Sequence, residues 1–99
     1  IKYMSAYWIV RVAVRDAEKL GLYAPLAAAA VNAYGGKYLA RGGTYESMEG
    51  TDYPRNVIVE WPDLATAQKA YHSPEYAKAR EVLADGAERL FVIVEGLEG

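Results

Sequence analysis

The chain predicts an α+β fold in which helices cover one face of a four-stranded antiparallel sheet. Three observations carry that prediction. β-branched and aromatic runs alternate with alanine-rich helical stretches in the order strand, helix, strand, strand, helix, strand. Glycine pairs bracket the second strand run, and Pro54 and Pro62 bracket the third. A length of 99 residues with 53% apolar content is enough for one small core. This order is the split βαβ pattern of a ferredoxin-like βαββαβ sandwich.

The first strand is Tyr7-Trp8-Ile9-Val10-Arg11-Val12-Ala13-Val14, rich in side chains that suit a pleated surface. Asp16 supplies the N-cap of a helix reaching Tyr34, with Leu20, Ala24, Ala27, Val31 and Tyr34 near helical spacing. Pro25 removes one helical hydrogen bond, so a kink or two successive pieces is expected there. Gly35-Gly36 ends the helix, because glycine takes the left-handed cap conformation without a Cβ clash.

A second strand runs from Lys37 to Arg41 and meets Gly42-Gly43, which marks a bulge or a close backbone approach. The run from Tyr45 to Glu49 can continue it, and residues 50–54 read as a loop. The third strand is Asn56-Val57-Ile58-Val59-Glu60-Trp61, stopped by Pro62. Asp63 caps the second helix, which is broken at Tyr71-His72-Ser73-Pro74-Glu75-Tyr76. There Ser73 can cap a new helix and Pro74 suits its first turn. Asp85-Gly86 ends that helix, and Leu90-Phe91-Val92-Ile93-Val94 is the last strand.

Composition limits what such a fold can do. Eleven basic and thirteen acidic residues give a net charge of −2, and the basic ones are scattered, so no nucleic-acid partner is expected. No run is long and apolar enough for a membrane span, and no secretory leader is legible at the start. The domain is read as residues 4–99, with Ile1-Lys2-Tyr3 ahead of a start at Met4. There is no cysteine, which removes disulfides and thiolate chemistry. A sheet with one wet face should alternate apolar and polar residues, yet Leu90 to Val94 is apolar throughout. Something should cover the second face, and the expected cover is another copy of the chain, giving a homodimer through the sheet face.

Four motifs then add a resemblance. Tyr7-Trp8-Ile9-Val10, Tyr34-Gly35-Gly36-Lys37-Tyr38-Leu39-Ala40-Arg41-Gly42-Gly43, Val59-Glu60-Trp61-Pro62 and Tyr71-His72-Ser73-Pro74-Glu75-Tyr76 occur in that order. Together they resemble the bacterial domain-of-unknown-function 1330 family, within the dimeric α+β barrel superfamily, over the chain from Met4 onward. The resemblance implies a small cytoplasmic bacterial protein whose two sheets form a barrel across a dimer. It implies no reaction. Superfamily relatives include cofactor-free monooxygenases, muconolactone-type isomerases and haem-handling enzymes, an analogy of fold alone. It also implies that other small polar residues are accepted where His72 stands.

His72 is the only histidine, and its type suits general acid or base work at neutral pH. At a helix junction it can equally be a solvated connector. It has no second histidine or cysteine to share a metal with, so neither a metal nor a cofactor is expected. Arg41 lies where a strand meets Gly42-Gly43, so its planar fork can take a carboxylate or phosphate beside close backbone. It can also be an edge-strand arginine paired with an acidic neighbour. Arg11 and Glu60 are charges on the two central strands, expected either as a buried ion pair or as the lining of a polar cavity. Tyr76 belongs to an apolar helical stripe, with a hydroxyl able to reach the space between helix and sheet.

The first functional reading is a protein binding a small organic anion or aromatic metabolite between helices and sheet. Arg41, His72 and Tyr76 are its expected contacts, with Arg11 and Glu60 behind them. The alternative is a cofactor-independent monooxygenase or isomerase using His72 or Glu60 as proton acceptor. A third reading is a structural or regulatory dimer without a ligand.

Overall fold

A computed structural model describes residues 4–97. Strand β1 (Ala6–Val14) leads into helix α1 (Ala17–Ala33), followed by β2 (Lys37–Arg41) and β3 (Arg55–Trp61). Helices α2 (Leu64–Tyr71) and α3 (Pro74–Leu83) precede β4 (Ala87–Glu95). The strands form one antiparallel sheet in the order β2-β3-β1-β4, with β3 and β1 central. This is the expected ferredoxin-like arrangement.

Register decides which residues share a face. Trp8 stands opposite Val59 and Ile93, and Val10 opposite Val57 and Phe91, so alternate residues of all three strands point toward the helices. Trp8, Trp61, Val59, Val31, Tyr76 and Leu83 are buried in or beside the core this face makes with the helices. The Trp8 ring packs on Trp61, Tyr76 and Phe91 at centroid distances of 4.8, 5.0 and 5.1 Å, and its Nε1 donates to the Ala67 carbonyl at 3.0 Å. The opposite face carries Ile9, Ile58, Leu90, Val92 and Val94, the last three about half exposed at 50%, 54% and 48%.

Capping at the α2–α3 junction follows the sequence. Ser73 Oγ accepts from the Tyr76 backbone N–H at 3.1 Å and donates to the Ala70 carbonyl at 2.7 Å, while Pro74 opens α3. Asp63 caps α2 by accepting from the Thr66 backbone N–H at 2.7 Å, and the Thr66 side chain together with that N–H holds its carboxyl below the usual carboxylate range.

Four expectations meet the structure. Of the two readings of Pro25, two separate pieces are not formed: helix α1 runs through it as one element. Both Pro25 and Gly21, the residue four before it, are exposed, so water satisfies the carbonyl that proline leaves free. The β2 bulge lies between Tyr38 and Ala40, so of the two readings of Gly42-Gly43 the close approach holds, at Gly42 against the Arg55 side chain. Gly42 has φ +68° and gives its N–H to Asn56, after which the chain leaves the ladder, so Tyr45 to Glu49 forms no strand. Finally β4 begins at Ala87, three residues before its apolar run.

Candidate functional site

Between α1 and the sheet lies a cleft with a floor of Val10, Val12, Val57 and Val59 and a wall of Ala24 and Ala27. Alanine on the inward face of α1 leaves space that a leucine would fill. The cavity itself is about 40 Å³ and it widens to solvent at its mouth, the whole reaching about 520 Å³ with that open solvent counted.

Three elements deliver polar groups to one flank. Tyr23 of α1 and Tyr76 of α3 share a hydrogen bond with their Oη atoms 2.5 Å apart. Arg89 of β4 donates from Nη1 to both oxygens at 3.1 Å. The Arg89 guanidinium also lies 5.3 Å from the Tyr23 ring centre and 5.4 Å from that of Phe91, within cation–π range. Burial pushes the Tyr23 phenol well above its ordinary range, with Tyr76 adding to the rise and Arg89 opposing it. Burial also weighs against the charge on Arg89, but the Tyr76 and Tyr23 oxygens outweigh it and the guanidinium is held charged.

The other flank holds Arg41 and Arg55. Arg41 is exposed, and its guanidinium carbon sits 4.6 Å from the Tyr38 ring centre. Burial raises the Tyr38 phenol, with Arg41 opposing the shift. The Arg55 guanidinium presses on Gly42, where a Cβ would overlap its Nη1. Glycine therefore meets two demands at position 42, a positive φ and the passage of an arginine. Three arginines line the cleft, and its lining contains no aspartate or glutamate.

The predicted site residues separate. Arg41 and Tyr76 both line the cleft. His72 is the exposed C-cap of α2, its ring edge-on to Tyr71 with centroids 5.2 Å apart. Glu60 stands opposite Tyr7 and Lys37 on the far face of the sheet. Arg11 is also on that face, where its Nε donates to Asn56 Oδ1 at 3.1 Å and its guanidinium lies 5.3 Å from the Tyr53 ring centre. The expected partnership of Arg11 with Glu60 is not formed. Arg11 pairs with Asn56 and Glu60 with Tyr7, four positions along β1, a separation of roughly 13 Å. Both are only partly buried, so neither needs an ion pair in the core.

Tyr23, Arg55 and Arg89 are site residues that sequence reasoning missed. The signal for Arg89 was the alternation Ala87, Arg89, Phe91, Ile93, which extends the last strand by one face-matched step. Arg55 needed the same one-residue extension of the third strand. Tyr23 is three residues from Leu20 and four from Ala27 on the helix, the spacing of a shared face.

Comparisons with known proteins agree with this architecture. The family model described as Domain of unknown function (DUF1330) matches residues 5–97. A protein of unknown function from Rhodopseudomonas palustris superposes with a TM-score of 0.79 at 16% identity, covering 97% of this chain and 85% of that one. A candidate antibiotic biosynthesis monooxygenase from Nitrosomonas europaea gives 0.56 at 17% identity, covering 98% and 93%. A dimeric ferredoxin-like protein of unknown function from Thermobifida fusca gives 0.57 at 12% identity, covering 93% and 91%. At these identities the likeness is one of fold. No curated protein matches the chain.

Proposed function

The chain belongs to the DUF1330 family, whose function is unknown, and from that premise we propose that it binds a small organic anion between α1 and the sheet. The observation that supports this most is charge without counter-charge: Arg41, Arg55 and Arg89 line an apolar cleft that holds no carboxylate. Bringing like charges together is unfavourable, and an anionic ligand relieves it. Arg41 and Tyr76 remain in the contact set, joined by Arg55, Arg89 and Tyr23. Catalysis as a monooxygenase or isomerase needs a proton acceptor, and the described lining offers neither carboxylate nor imidazole.

The apolar far face of the sheet, with Leu90, Val92 and Val94 half exposed, supports a second copy of the chain as its cover. No helix among the described residues is long and apolar enough to cross a membrane.

Paired probes test the ligand reading. Butyrate and benzoate should raise the melting temperature and change tryptophan emission through Trp8, while butyramide and benzamide should not. If acids and amides act alike, or neither acts, the reading is wrong.

A further inference from the structure

Resting on that reading, the arrangement of its charges narrows the ligand class. The donors of the cleft form two groups, not one. Arg89 on β4 and Arg55 on β3 both stand opposite Val12 of β1, one on each side. Two strand spacings put their Cα atoms roughly 10 Å apart. Arg41, opposite Val57, joins Arg55 on its side. Between the two poles the floor is Val10, Val12 and Val57, with nothing to hold a polar group.

Each pole has donors to spare. Tyr23 and Tyr76 have two hydroxyl hydrogens between them, and their mutual bond uses one. Arg89 supplies a hydrogen to each oxygen, so it consumes acceptors and no hydroxyl hydrogen. The tyrosine that accepts from its neighbour keeps its own O–H, and no described residue accepts it. Tyr76 is fully buried and Tyr23 partly so, which makes a hydroxyl hydrogen there costly to leave unpaired. The Nε and Nη2 groups of Arg89 also have no acceptor among the described residues. At the second pole Arg41 and Arg55 stand near each other with no described carboxylate paired to either. Each pole is thus all donor and positive, and the space between them is apolar.

We propose that the cleft takes a short dicarboxylate, one carboxylate at each pole. One carboxylate accepts from the free tyrosine O–H and Arg89, and the other from Arg41 and Arg55. The methylene chain lies on the three valines.

Titration calorimetry with butyrate, succinate, glutarate and adipate tests this on the intact chain and on Arg41→Gln and Arg89→Met. One dicarboxylate should bind at least ten-fold more tightly than butyrate. Arg41→Gln, a change at an exposed position, should erase the advantage of that diacid, bringing it to the affinity of butyrate measured on the same variant. Arg89→Met should weaken both. Equal affinity of butyrate and every diacid would overturn the two-pole proposal and leave anion binding standing. Failure of all four acids to bind would overturn both.

Discussion

The two faces of the sheet handle charge in opposite ways. On the open face Arg11 bonds Asn56, Arg15 meets Glu88 at 3.2 Å, and Lys37 stands opposite Glu60. On the helix-covered face Arg41, Arg55 and Arg89 surround a cleft with no carboxylate in its lining. Polar groups balanced by neighbours at a water-exposed surface need nothing further and contribute little. Cations brought together around an apolar recess without balance repel one another, which is why the second face, and not the first, is read as the binding site.

The largest effect that can break this comparison lies in the core. Trp8→Ala, which removes the ring joining Trp61, Tyr76 and Phe91, should cost about 3–5 kcal/mol in denaturant unfolding. Val92→Ala on the open face should cost under about 0.5 kcal/mol in dilute protein, where a dimer dissociates. A Val92 cost that grows with protein concentration would place a partner on that face.

Arg89→Met comes next. It takes the charged donor from two tyrosine oxygens and should lower stability by about 1.5–3 kcal/mol, with acid binding weakened in the same protein. Ser73→Ala should cost about 1 kcal/mol, because its hydroxyl fixes the turn that sets Tyr76 in place. His72→Ala, at the neighbouring exposed position, should change stability by less than about 0.5 kcal/mol and leave acid binding intact. A loss of binding in His72→Ala would move the site to the helix junction.

The smallest effect is one of pH. The Tyr23 phenol is raised in the folded chain, so the folded state keeps its proton where the unfolded state has begun to lose it. The folded state therefore holds more protons above about pH 10, and stability falls as pH rises through that range. Tyr23→Phe has no proton to lose and should show a shallower alkaline decline. Equal slopes in the two proteins would show that the cleft does not bury this phenol.

Much of the fold was legible because its signals are local. Asp16, Asp63 and Ser73 mark helix starts by side-chain chemistry that acts within three residues. Strand order followed from element order. The cleft was only half legible for a related reason. Arg41 and Tyr76 lie inside recognisable elements, whereas Arg55 and Arg89 sit at strand starts beyond the apolar runs. Their shared face depends on register across β3, β1 and β4, a property of paired strands that no single segment contains. The pairing of Arg11 with Glu60 failed on the same point: adjacent strands do not imply adjacent residues.

The central claim is that the helix-covered face, and not the open one, receives an anion. Backbone amide shifts followed by NMR during titration with glutarate test it most directly. The predicted result is a set of shifts confined to Ala24, Ala27, Tyr38, Val57 and Arg89, with Ile9, Ile58 and Val92 unmoved. Shifts centred on Ile9, Ile58 and Val92, or on His72, would contradict it.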